Sequence, residues 1–252
     1  MAPWPVFVLA GAVIGTLTGL FGVGGSSIAT PLLAVLGVPG LYAIASPLPA
    51  TIPSALGASI PYVKSGESRP RAAAWTLLGA LPAAVVGALL SQVVGGPKLL
   101  IASGLVLVLV GQRILRPIED STRKEGSARR QNRFILIAAS AGVGLFTGLL
   151  ANGGGFLLVP MYLLIFGLRM RQAVGTSLLV IAVLAVPTLA THWALGHIDW
   201  TVAAAFAAGE IPASVASGRL AHRISGPRVR HGFGWFLIGS GVAFVLSRVI
   251  GA

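Results

Sequence analysis

The sequence predicts an all-α integral membrane protein built from two repeats of opposite orientation. Three observations predict it: the chain is strongly apolar, its second half repeats the glycine pattern of its first half, and its basic residues are confined to a few regions. Hydrophobic residues make up 55% of the chain and charged residues 10%, with a mean hydropathy of +0.89. A soluble domain carries about 25% charged residues, and several stretches here approach the roughly 20 apolar residues that cross a bilayer.

The repeat is clearest in two glycine-rich motifs. Residues 15–26 read GTLTGLFGVGGS, and residues 144–155 read GLFTGLLANGGG, at a shift of 129 positions. After one inserted residue, further glycines and prolines match at a shift of 130. Paired halves in an apolar chain are typical of transporters, whose binding sites lie where the repeats meet.

Each half is predicted to hold five apolar segments. They cover residues 6–22, 26–36, 43–63, 72–94 and 98–115, and then 134–151, 155–166, 173–194, 200–221 and 231–250. The polar stretch 116–133 lies between the halves. We therefore expect a first transmembrane repeat at 1–115, a cytoplasmic linker at 116–133 and a second transmembrane repeat at 134–252.

The second segment of each half is short. Residues 155–166 would rise about 18 Å as a helix, against a hydrocarbon core of about 30 Å. We therefore expect a hairpin or a broken pair of helices whose glycine turns, at 23–25 and 152–154, lie within the membrane. The third segment of the first half contains Pro47, Pro49 and Pro53, which favour a kink. Each half is then expected to hold one such hairpin or broken helix pair and three further transmembrane helices. The whole chain can be counted as eight full spans plus two hairpins, or as ten segments.

The basic residues predict the topology. Regions 64–71, 113–133, 167–172 and 219–230 hold 16 of the 18 Lys and Arg residues, and cytoplasmic loops collect such residues. Loop 64–71 is then inside while its counterpart at 194–200 is outside. The halves are therefore expected to be inverted, with both termini extracytoplasmic. The same rule accounts for the net charge of +12 without nucleic acid.

The glycine turns are the candidate binding elements. A helix that starts after such a turn presents unpaired N–H groups and the positive end of its dipole, which attract anions. Hydroxyls in the third segment of each half are also candidates, although they could equally cap a helix. The candidate substrate-binding residues are Gly24, Gly25, Ser26, Ser27, Ser46, Asn152, Gly153, Gly154, Gly155, Thr176 and Ser177.

Glu210 is the only acid within a predicted span, and its counterpart in the first half is Ala80. An intramembrane acid is unfavourable and commonly faces a cavity. It fits either a proton-coupling or gating role, or a structural acid bonded to a hydroxyl or an Arg. His192, His197 and Asp199 cluster near an outer loop, where such groups are usually solvated, so no metal site is predicted.

The sequence also excludes several classes of function. It has no cysteine, which excludes disulfides and thiolate metal sites. It lacks the Gly-x-Ser-x-Gly, His-Glu-x-x-His and Walker motifs. We therefore expect neither an enzyme nor a cofactor, and any transport should be secondary or driven by another subunit.

Three motifs resemble the TauE/SafE family of sulfite-exporter-like permeases: GVGGSS leading to Pro31, ANGGGF leading to Pro160, and AVGTSL at 173–178. The resemblance covers about residues 7–250. It implies a multi-pass carrier in the bacterial inner membrane for sulfite, sulfoacetate or related organosulfonates. Thr176-Ser177 corresponds to Ser46-Pro47, so the two halves would contact substrate differently.

These observations predict a secondary transporter of a small anion that works by alternating access, with proton coupling left open. The alternatives are a passive anion channel and a membrane scaffold subunit that transports nothing. The glycine-rich faces permit a homodimer without requiring one.

Overall fold

The computed structural model describes residues 2–94, 96–116, 133–149, 155–221 and 223–249. Within these ranges, all of the regular elements are helical, which confirms the predicted fold class. In chain order they are α1 (Trp4–Phe21), α2 (Ser26–Val35), α3 (Gly40–Ala45), α4 (Leu48–Lys64), α5 (Pro70–Val94), α6 (Gly96–Leu115), α7 (Arg133–Leu149), α8 (Gly155–Pro160) with a π-helical turn (Met161–Ile165), α9 (Met170–Ala194), α10 (Trp200–Ala221) and α11 (Gly226–Val249).

The helices follow the predicted segments. Helices α1, α2, α5 and α6 correspond to α7, α8 with its π-helical turn, α10 and α11, while α3 and α4 together correspond to α9. In the described ranges, Trp4–Phe21, Leu41–Lys64 and Met170–Ala194 are long and apolar enough to cross a membrane. The division into two repeats and a linker stays a prediction, and residues 117–132 of that linker lie outside the described residues.

The first glycine turn joins α1 to α2. Helix α1 ends because Gly22 adopts a left-handed φ of 67° and donates its N–H to the Thr18 carbonyl at 2.8 Å, a conformation that glycine adopts without strain. Helix α2 has ten residues, or about 15 Å at 1.5 Å per residue. The short second arm of the hairpin is therefore present in the first half.

The second half has an equally short arm. Helix α8 gives way after Pro160 to the π-helical turn at Met161–Ile165. Proline has no N–H for the helical ladder, and π-helical turns are uncommon departures from regular helix. The glycine turn predicted at 152–154 lies outside the described residues.

The third segment differs between the halves. In the first half it breaks at Ser46-Pro47, between α3 and α4, whereas α9 runs unbroken through Thr176-Ser177. Pro47 cannot donate to the helical ladder and its ring crowds the preceding turn, while Ser177 can continue the helix. The kink predicted from the prolines is thus a break between two helices.

The two halves exchange helices. Helix α1 packs along α10, and the equivalent helix α7 packs along α5. A Cβ on Gly15 would lie 2.9 Å from the Cα of Glu210, and a Cβ on Gly144 would lie 2.7 Å from the Cα of Ala80. These are equivalent positions of the repeat, and only glycine allows backbones this close.

Equivalent helices also pack against each other. A Cβ on Gly111 of α6 would lie 2.8 Å from Ile238 of α11, while Leu115, one turn further along α6, lies against Gly234, one turn earlier on α11. Residue numbers thus rise along one helix as they fall along the other, so α6 and α11 are antiparallel. Inverted repeats would produce such a pair, although their orientation across a bilayer stays a prediction.

Candidate anion site at the first glycine turn

The first glycine turn lies inside the protein. Gly22, Val23, Gly24 and Gly25 are all buried. Helix α9 covers them, because a Cβ on Gly24 would lie 3.0 Å from Cγ2 of Ile181. Irregular backbone at membrane depth is tolerated when protein surrounds it or when it lines a wet cavity, and the surroundings of this turn meet the first condition.

The side chain of Ser177 binds the backbone of the first glycine turn. Its Oγ donates to the Gly22 carbonyl at 3.0 Å and lies 2.9 Å from the carbonyl of Val174 in its own helix. A Cβ on Gly22 would lie 2.5 Å from this Oγ, so the position needs glycine for both space and φ. Sequence reasoning chose Gly24 and Gly25 but missed Gly22. A glycine directly after a predicted helix was the available signal.

Glu210 reaches the same turn from α10. Its side chain is 0% exposed, and Oε1 lies 2.6 Å from the position of a Cβ on Gly25. Gly25 is the residue immediately before α2. The structure therefore brings Gly25 and Glu210, 185 positions apart in the chain, together at the start of α2.

The Glu210 carboxylate has no hydrogen-bond partner among the described residues. The hydroxyl of Ser54 on α4 lies beside it, yet this hydroxyl also lacks a hydrogen bond of acceptable geometry in the same part of the chain. Ser54 was not among the sequence candidates, because a serine in a proline-rich segment gives no signal of its neighbour. A buried carboxylate without a hydrogen bond is unfavourable, and Ser54 is the neighbouring hydroxyl that can supply one.

Ser46 and Thr176 are engaged elsewhere, at equivalent places in the two halves. The N–H of Asp199 donates to Ser46 Oγ at 3.1 Å, and the N–H of Arg69 donates to Thr176 Oγ1 at 3.1 Å. Thr176 also donates to the Gln172 carbonyl at 2.6 Å. Each hydroxyl therefore ties one half to the loop that precedes α5 or α10 of the other half.

The sequence model of the family described as "Sulfite exporter TauE/SafE" matches residues 7–244 of this chain. The chain belongs to this family. A "Probable membrane transporter protein" of Xylella fastidiosa strain 9a5c is 32% identical over 229 residues, covering 87% of this chain and 85% of the relative. The "Probable membrane transporter protein YunE" of Bacillus subtilis is 25% identical over 227 residues, covering 81% and 83%. No solved structure gives a significant match.

This TauE/SafE protein has other candidates that the structure leaves untested. Ser26 and Ser27 begin α2, and Gly155 begins α8. The surroundings of these three residues lie outside the described part of the structure. Asn152, Gly153 and Gly154 lie outside the described residues altogether.

In this TauE/SafE protein, the cluster of His192, His197 and Asp199 has a structural explanation. Asp199 Oδ1 accepts the N–H groups of Thr201 and Val202 at 2.9 and 3.1 Å, so it caps α10. His192 and His197 lie with their Nδ1 atoms 3.2 Å apart. In the described part of the chain, no three His, Cys, Asp or Glu side chains are grouped to hold a metal ion.

Proposed function

We propose that this protein is a secondary transporter of a small anion, sulfite or an organosulfonate, which it moves by alternating access around its two glycine turns. One observation carries the proposal: a buried glycine turn leads directly into α2, and both Ser177 and Glu210 contact this turn. The first N–H groups of a helix have no intrahelical acceptor, and the dipole adds positive potential there. Such a helix start binds anions.

We propose that the protein lies in the inner membrane, with inverted halves and with both termini outside. The confinement of basic residues to four regions supports it. The antiparallel packing of α6 on α11 supports it as well, since those helices occupy equivalent places in the two halves.

Alternating access is favoured over an open pore because the first turn is enclosed. Val23 is 1% exposed and Glu210 is 0% exposed, so an anion reaches this site only after helices move. Ser46 and Thr176 make equivalent hydrogen bonds to loops of opposite halves. In the proposed mechanism, opening of the protein toward one side of the membrane breaks one of these bonds, and opening toward the other side breaks the other.

The test is flux of radiolabelled sulfite into liposomes that contain the purified protein. We expect saturable uptake above that of empty liposomes, which rises when the entry side is made acidic. Gly154→Leu should abolish uptake because it puts a bulky side chain into the predicted second glycine turn. Gly142→Ala is the matched control, since a Cβ there meets nothing within 4 Å.

Each other outcome identifies an alternative. Uptake that neither saturates nor responds to a proton gradient would indicate a passive channel. No uptake of sulfite, sulfate, sulfoacetate, taurine or small carboxylates would contradict transport of this class of anion and favour a scaffold subunit.

A further inference from the structure

The Glu210 carboxylate lies beside the start of α2. Gly25 precedes the first residue of α2, and Glu210 Oε1 lies 2.6 Å from the Cβ position of Gly25. The carboxylate is fully buried, and neither oxygen has a hydrogen-bond partner within the described ranges. A buried acid without a partner therefore points at the start of a ten-residue helix.

The elements around this carboxylate supply little charge. Helices α1 and α2 contain no ionisable side chain. Helix α4 contains Tyr62, whose hydroxyl donates to the Gly19 carbonyl at 3.1 Å, and Lys64, which is exposed at its end. The other ionisable residue of α10 is Arg219, also exposed. The charge of Glu210 is thus left to the neutral Ser54 hydroxyl, the helix start, a proton or a bound ligand.

We propose that Glu210 is a tethered occupant of the anion site, and that a monovalent sulfonate-type anion binds only when this acid takes up a proton. The inference rests on the proposed function. Two negative charges in contact in a low-dielectric interior repel strongly, so an ionised Glu210 and the anion exclude each other. The proton comes from the water on the side of entry and returns to water when the anion leaves. The site carries one negative charge before and after binding.

This occupant exists in one half alone. The position equivalent to Glu210 is Ala80, whose backbone meets Gly144 just as the Glu210 backbone meets Gly15. An alanine cannot carry a proton, so the repeat position of Glu210 in the first half supplies no second acid. The expected stoichiometry is therefore one proton for each anion.

The test is calorimetric binding of methanesulfonate, which stays ionised across the neutral range, to the purified protein. Repeating the titration in two buffers with different ionisation enthalpies measures the protons taken up. At a pH high enough to ionise Glu210 in the anion-free protein, the wild type should take up about one proton per anion, and its affinity should fall there by up to about tenfold for each unit of pH increase, since one proton is linked to binding. Glu210→Gln should bind without proton uptake and with little dependence on pH. Glu67→Gln, which removes an acid from a loop, should behave as the wild type.

The outcomes separate this inference from the proposed function. At that pH, binding by the wild type without proton uptake would overturn the inference and leave the anion site standing; this measurement needs no variant. Proton uptake retained in Glu210→Gln would also overturn it. If Glu210→Gln is not recovered folded, Glu210→Asp should retain uptake with a changed pH dependence, and an unchanged profile would overturn the role of this acid. Failure of methanesulfonate, sulfite and sulfoacetate alike to bind would overturn the anion site and the inference together.

Discussion

The exchanged helix pairs make a sharp prediction about Gly144→Ala. A Cβ at this position would lie 2.7 Å from the Cα of Ala80, about 1 Å closer than the 3.5–4.0 Å at which carbon atoms pack best. The obstacle is backbone, so no side-chain rotation relieves it, and α7 must move away from α5. Overpacking of this kind costs about 1–3 kcal/mol.

Gly142→Ala is the matched control on the same helix. Gly142 is exposed, and a Cβ there meets nothing within 4 Å. Alanine is preferred over glycine in a helix by up to about 1 kcal/mol. Both variants gain this preference, so we expect their free energies of unfolding to differ by the overpacking cost of about 1–3 kcal/mol, with Gly142→Ala at least as stable as the wild type.

The assay is thermal unfolding of the purified variants in one detergent, followed by tryptophan fluorescence. At about 2–4 °C for each kcal/mol, the two variants should melt about 2–12 °C apart. Gly15→Ala should lower the melting temperature about as much as Gly144→Ala, because a Cβ there would lie 2.9 Å from the Cα of Glu210. Equal melting temperatures for Gly144→Ala and Gly142→Ala would refute the close packing of the exchanged helices.

Three further predictions concern the turn and the topology. Tyr62→Phe removes the bond to the Gly19 carbonyl and should cost about 1 kcal/mol, measured by the same melts; an unchanged melting temperature would contradict this bond. Gly25→Ala places a Cβ 2.6 Å from Glu210 Oε1 and should abolish sulfite uptake in liposomes at normal membrane levels, whereas normal uptake would remove this turn from the site. Accessibility of tags to an impermeant reagent in whole cells should place both termini outside and position 125 inside, and any other arrangement would contradict the inverted halves.

Much of the fold could be predicted because its signals are local. The paired glycine motifs, the apolar segments and the proline run indicated α1, the short α2 and a kink in the third segment. The importance of Glu210 was also visible, since an acid within an apolar span is uncommon. These signals depend on composition and spacing along the chain, which a single sequence contains.

The partners of these residues could not be predicted, because they depend on contacts far apart in sequence. The glycines of α1 indicate a close helix contact without naming α10 as its partner. The hydroxyl of Ser177 could have faced a ligand or a backbone carbonyl, and only the folded chain assigns it to Gly22. For the same reason, nothing in the sequence indicated that Ser54 lies beside Glu210.

The exchange of helices has a consequence for how the protein is made. Ser217 on α10 donates to the Gly15 carbonyl on α1, and these residues are 202 positions apart. At about 5–20 residues per second, a ribosome needs roughly 10–40 s to synthesise the intervening chain. During that interval α10 is absent, so lipid or the insertion machinery must cover the glycine face of α1. If either half is expressed alone, α1 or α7 lacks its partner helix from the other half. We therefore expect the two fragments to accumulate only when they are produced together.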